Sequence, residues 1–266
     1  MRVVLGAGRS SPGVTTAMLA CASVWPDRVL LVEGAEDGGA LAARFGLPVE
    51  PGLTTLAAAS RHGSNGDRPA ALLGDPVQAL PGTGRIDALG APPSLEVAQA
   101  LLRTAAARLA GLLDQTDTDV LIDVGRLPAT PLAAPLLASA DRLLLVVRPR
   151  VEELTALAHR LPHLSGLGPT PELLLVGDRP YGPGDVAEAL GASVAGVLAH
   201  DTDAADGLAA VGPGRWLGRS PLLRTAGGIV DRLVDTRPDP AVAPGGVGQV
   251  DGNRVPLRRW LPAGRE

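Results

Sequence analysis

The chain has 266 residues, 45% of them hydrophobic, 20% charged and 2% aromatic, enough to enclose one sizeable core. A single cysteine, Cys21, excludes an internal disulfide and a multi-thiolate metal site, and no apolar run is long enough to span a bilayer. The net charge is −4, from 24 basic and 28 acidic residues, and every one of those basic residues is arginine. No lysine is therefore present to bind phosphate, form a Schiff base or act as a general base. Few aromatics disfavour stacked recognition of single-stranded nucleic acid, and the acidic balance does not indicate DNA, although a local arginine patch could still contact it. A soluble, cytoplasmic protein is the expectation, at most peripheral to a membrane or the nucleoid and without stable membrane insertion.

Apolar runs alternate with helical patterns, the sign of strands that cross to parallel neighbours through helices. Residues 3–5 predict a short buried strand that runs into a glycine-rich segment at 6–13, followed by a helix over 15–24. A second strand is predicted at 28–32 and a short helix at 41–45; residues 53–60 read as helical and 62–69 as a polar loop. Residues 77–80 and 85–89 flank Pro81-Gly82-Thr83-Gly84, which suits a hairpin or a bent edge strand. The clearest amphipathic helix covers 95–113, with Ser94 as its cap.

Further strands are predicted at 119–124, 142–147, 172–176 and 194–198. Helices are expected at 132–139, 183–190 and 220–234, and one over 152–161 that ends at Pro162. The sum is an α/β chain: a doubly wound, mostly parallel sheet with helices on both faces, occupying residues 1–236. Beyond it, 237–253 is rich in Pro and Gly and predicts a flexible linker. The tail at 254–266 regains Leu257, Trp260 and Leu261 beside Arg254, Arg258 and Arg259. Pro256 and Pro262 leave it little more than one helical turn, which suits a short protein-docking motif better than a membrane anchor.

The segment Gly8-Arg9-Ser10-Ser11-Pro12-Gly13-Val14-Thr15-Thr16 has the frame of a phosphate loop: strand, G-x-x-x-x-G, one residue, Thr, helix. Glycines let backbone N–H groups converge on an anion, the helix start adds its positive end, and Thr15 can ligate Mg²⁺. The frame lacks its lysine, because Val14 stands in that place.

Taken with five later segments, this loop resembles the ParA/MinD family of dimerising P-loop ATPases, whose motif is K-G-G-x-G-K-T-T. VLLVEGAEDGG at 29–39 resembles the family strand ending in D-x-D-x-Q-G-G, and DVLIDVGRLP at 119–128 its Walker B strand and second switch. ADRLLLVVRPRVEEL at 140–154, LLLVGDRP at 173–180 and VAGVLAHDTDAADGL at 194–208 follow in the family's order. The resemblance implies a three-layer P-loop NTPase fold, ATP and Mg²⁺ as ligands and a nucleotide-dependent homodimer. It also implies a role in positioning or regulating a cellular assembly, such as chromosome or plasmid partition, the division site, or pilus or secretion machinery.

It places Arg9 where the signature lysine reaches the partner's phosphates, and Thr15 and Asp123 at the Mg²⁺. Glu33 matches the first acid after the second strand, while the water-positioning acid aligns with Ala35, leaving Glu33 and Glu36 as catalytic candidates. The base-reading asparagine falls at Gly177 or Asp178, with Arg179 next to it. A missing loop cation and a missing acid imply weak or absent hydrolysis, since losing one placed charge in such chemistry costs on the order of 10²–10³ in rate. The competing reading is a scaffold that binds a protein partner without nucleotide.

Other constellations predict little. His159 and His163 are four apart, but Pro162 should break the helix between them; His62 and His200 stand alone. Asp201, Asp203 and Asp206 suit a turn with helix-capping acids, and Cys21 a small core residue.

Overall fold

The computed structural model describes residues 1–62, 74, 76–210 and 219–237. The expected linker and tail, apart from residue 237, and all but the first residue of the expected polar loop lie outside the described residues. Eight strands form one sheet: β1 (Arg2–Ala7), β2 (Val29–Glu33), β3 (Gln78–Ala79), β4 (Ile86–Leu89), β5 (Asp119–Arg126), β6 (Arg142–Val147), β7 (Glu172–Val176) and β8 (Val194–Leu198). Their spatial order is β3-β4-β2-β5-β1-β6-β7-β8. Every pairing is parallel except β3 with β4, the expected hairpin around residues 81–84, so the fold is the anticipated doubly wound, mostly parallel α/β sheet.

Strands buried on both faces need apolar residues at successive positions, which is why they read as unbroken runs. Along them, side chains alternate between two cores. Val4, Val32, Ile122, Leu143, Leu145, Leu173 and Leu175 enter one apolar layer; Val3, Leu5, Leu31, Leu121, Leu144, Val146 and Leu174 enter the other. The first layer is closed by α3 (Leu53–His62), α4 (Leu95–Asp114), α5 (Ala134–Ala138), α6 (Val151–Leu164) and α7 (Pro183–Leu190). The second is closed by α1 (Val14–Val24), α2 (Leu41–Phe45), α8 (Thr202–Ala210) and α9 (Pro221–Asp235).

Local signals set several of these boundaries. Ser94 Oγ accepts from Val97 N at 3.4 Å and starts α4; Ser220 Oγ accepts from Leu223 N at 3.2 Å and starts α9, with Pro221 in its first turn. Helix α6 does not end at Pro162 as expected but runs through it to Leu164. Pro162 is exposed, so the carbonyl it displaces can lean toward water, while Leu161 and Leu164 bury themselves on the same helix. The predicted turn at 201–206 opens a helix, α8, in which Asp201 Oδ1 accepts from Ala204 N at 3.1 Å.

At the sheet end where β1 and β5 start, Asp119 gathers three donors: the Met1 amine at 2.6 Å, Trp25 Nε1 at 3.0 Å and Arg237 Nη2 at 2.7 Å. It ties the first strand, the end of α1 and the end of α9 together. The opposite end, where the parallel strands finish, is free for chemistry. There β1 lies between β5 and β6, with connections leaving on either side, the crevice in which open α/β sheets bind ligands.

Candidate functional site

The loop between β1 and α1 turns through Ser10, the one described non-glycine residue at positive φ (61°), and Gly13 at φ 104°. A left-handed N-cap of this kind favours glycine, and Gly13 has no side chain to cap the helix. The leading N–H groups of α1 therefore have no side-chain cap, and Gly13 and Thr16 at this helix start line the adjoining cavity. Arg9, Ser10 and Ser11 are exposed, whereas Val14 is 7% exposed and packs into the apolar layer with Val3, Leu5 and Leu19. A valine in the lysine position thus joins the core instead of filling the loop.

Thr15 Oγ1 donates to Asp123 Oδ2 at 2.5 Å, and Asp123 Oδ1 accepts from Gly125 N at 2.8 Å. This brings together the two expected Mg²⁺ ligands, Thr15 in the first turn of α1 and Asp123 in the second half of β5. Burial pushes the Asp123 carboxyl above its ordinary range, opposed by the Thr15 and Gly125 hydrogen bonds and by the charge of Arg44. A hydroxyl and an oxygen-rich carboxylate beside uncapped amides suit a hard divalent cation carrying phosphate.

Glu33, opposite Asp123 in the β2–β5 pairing, has a structural task. Its Oε1 accepts from Ala40 N at 2.6 Å and Leu41 N at 2.9 Å, and its Oε2 from Ala91 N at 3.0 Å. Burial raises its carboxyl above the ordinary range; these three bonds pull the other way, and the nearby Asp123 reinforces the rise. Gly39 is required beside it, since a Cβ there would lie 2.4 Å from Glu33 Oε2 and from Ala91 O. Glu36 Oε1 accepts from Leu132 N, and Asp37 pairs with Arg126 at 2.9 Å, so the segment after β2 is joined to the segment after β5.

Residues that sequence reasoning did not single out complete the site. Arg160 on α6 donates to Gly8 O and to Leu127 O, bracing the phosphate-loop frame and the segment after β5 from one helix. Gly8 itself packs on Leu157, one turn earlier on that helix. His159 and His163 share the unbroken α6 after all, and both are exposed; His163 Nε2 lies 2.6 Å from Ala129 O. No group of three metal-ligating side chains occurs among the described residues.

A cavity of about 150 Å³ opens beside the loop. Pro12, Gly13 and Thr16 form one wall; Val176, Leu198 and His200 belong to the strand ends beyond, and Arg148, Asp201 and Asp206 add charge. Asp178 and Arg179 are exposed and do not line it, whereas His200, expected to stand alone, does. Nothing in the sequence singles out Arg160 within its helix, and the resemblance of the 140–154 segment assigns Arg148 no role.

No family model and no curated protein matches the chain. Solved structures do. A ParA family ATPase from Chlorobium tepidum superposes with a TM-score of 0.69 at 19% identity, covering 86% of this chain and 99% of that one. The chain has the ParA/MinD fold. The septum site-determining protein MinD of Pyrococcus horikoshii, solved with Mg-ADP, gives 0.67 at 17% identity over 88% of this chain and 96% of that one. A Cyanothece McdA variant in complex with ATP gives 0.66 at 17% identity over the same shares, 88% and 96%.

Proposed function

We propose that the protein is a nucleotide-dependent switch of the ParA/MinD type, binding ATP with Mg²⁺ over Gly8–Thr16 and hydrolysing it weakly or not at all. The observation that carries this reading is the uncapped start of α1 beside the Thr15–Asp123 pair, at the mouth of an open cavity. Fold neighbours solved with Mg-ADP and with ATP support the same ligand class. In this reading Gly13, Thr15 and Thr16 amides hold phosphate oxygens, and Thr15 with Asp123 holds the cation. Bound Mg²⁺ supplies neutralisation of phosphate charge. Arg9, exposed at the loop tip, is free to reach a second copy across a dimer.

Weak turnover follows from three placements. The lysine position is apolar and buried, the position of the water-orienting acid is Ala35, and Glu33 is occupied by backbone amides. A chain that binds without turning over would act by assembly state, positioning or regulating a larger machine, with the tail at 254–266 as a docking element. Among the described residues no helix is long and apolar enough to cross a membrane.

The test is equilibrium titration of purified protein with fluorescent ATP and Mg²⁺, alongside sedimentation velocity. Saturable binding in the micromolar range with a shift toward dimer is the expected result. Absence of saturable binding up to millimolar nucleotide overturns the reading in favour of a scaffold that binds its partner without nucleotide.

A further inference from the structure

In a chain without lysine, a bound polyphosphate needs another cation, and Arg148 is placed to be it. The residue follows β6 directly and lines the cavity together with Pro12, Gly13 and Thr16, the residues around the start of α1. Its backbone is fixed, because Arg148 N donates to Glu153 Oε2 at 3.0 Å. Its guanidinium is not. Arg148 Nε is buried with no hydrogen-bond partner, and no ion pair holds the side chain among the described residues. The other buried orphan, Arg142 Nε, belongs to a guanidinium already engaged with Glu172 and Thr236. An unpaired donor out of water is costly unless a ligand satisfies it.

The remaining arginines near the loop are accounted for differently. Arg160 spends its donors on the carbonyls of Gly8 and Leu127, and Arg9 is exposed at the loop tip. The cavity is also polarised: Asp201 and Asp206 lie on or next to α8, across from the α1 wall. Carboxylates repel phosphate and accept from sugar hydroxyls or base N–H groups. The phosphate end of a ligand therefore belongs beside Gly13, Thr16 and Arg148, and its base end toward Val176, Leu198 and His200.

We propose that Arg148 supplies, within one subunit, the phosphate-binding cation that the loop lacks, clasping a nucleoside polyphosphate from the β6 side. This rests on the nucleotide-binding reading above. A planar fork suits two phosphate oxygens at once, which lysine cannot match.

The experiment compares ADP and inorganic pyrophosphate binding by calorimetry for the full chain, Arg148→Ala, Arg148→Lys and Arg108→Ala, each first checked for native melting. Arg148→Ala should weaken both ligands by about 10- to 100-fold, the span of a charge-assisted bond. Arg148→Lys should recover part of the loss, and Arg108→Ala should leave ADP affinity within about twofold, because that arginine is exposed on α4, under the opposite face of the sheet from the cavity. Unchanged affinity in Arg148→Ala, with the parent chain binding, overturns the assignment and leaves the nucleotide reading intact. A parent chain that binds neither ligand overturns both.

Discussion

Replacing Asp119 by Asn tests what holds the non-functional end of the sheet. Asn keeps the volume and one oxygen to accept from Trp25 Nε1 and Arg237, while its amide nitrogen replaces the oxygen that accepts from the Met1 amine, so charge and one acceptor are lost together. Asp119 is 6% exposed and faces the Met1 amine at 2.6 Å and Arg237 at 2.7 Å. Removing one partner from such a buried arrangement leaves an uncompensated charge, at a cost of about 3–5 kcal/mol. For a domain of this size each kcal/mol moves the melting midpoint by about 2–4 °C, so the variant should melt roughly 6–20 °C lower. Burial alone would raise the Asp119 carboxyl, but the amine, Trp25 and Arg237 overcome it and hold the group below its ordinary range. Its stabilisation is accordingly complete above the ordinary carboxylate value of 3.8 and is lost as pH falls through the lowered one. Urea denaturation from neutral pH into the acid range should show a constant gap between the two proteins that closes only in acid. A gap under about 1 kcal/mol at neutral pH, or one that widens on acidification, would refute the reasoning.

Two further outcomes follow from the same geometry. Asp123→Asn keeps one oxygen to accept from Gly125 N, and its amide can donate to Thr15 Oγ1, so the fold should persist while the Mg²⁺ dependence of nucleotide affinity disappears; titration in Mg²⁺ against EDTA reads this. Burial pushes the Cys21 thiol up to about 12, so a disulfide reagent at mildly alkaline pH should leave the native protein unlabelled and react only once denaturant opens it.

Most of the sheet was legible because double-sided burial writes itself as unbroken apolar runs, and β5 to β8 each begin within a residue of the reading. The loop frame was legible for a different reason: only a few residue types permit a left-handed turn that presents amides, and Gly13 is one of them. What escaped was decided by tertiary packing. Pro162 carries a helix-breaking signal that buried Leu161 and Leu164 override. Asp201 does cap a helix, as expected of the acids at 201–206, but that helix over Thr202–Ala210 is rich in Asp, Ala and Gly and its apolar stripe is too weak to read its length. Arg160 carries no pattern, and the segments that contain Arg148 and His200 assign them no role; each matters through what the topology sets beside it.

The same packing separates binding from turnover. Hydrolysis would need a carboxylate to leave its present partners and orient water at the phosphate end. Glu33 cannot do so cheaply, since its departure strands the amides of Ala40, Leu41 and Ala91. Asp37 is different: its pair with Arg126 is about half exposed on both sides, an interaction worth at most about 1 kcal/mol. The Asp37–Arg126 link between the segments after β2 and β5 can therefore rearrange at little cost, while Glu33 stays locked. If the site binds nucleotide as proposed, occupancy would be felt first at this weak join between two surface segments, where limited proteolysis with and without nucleotide would detect it.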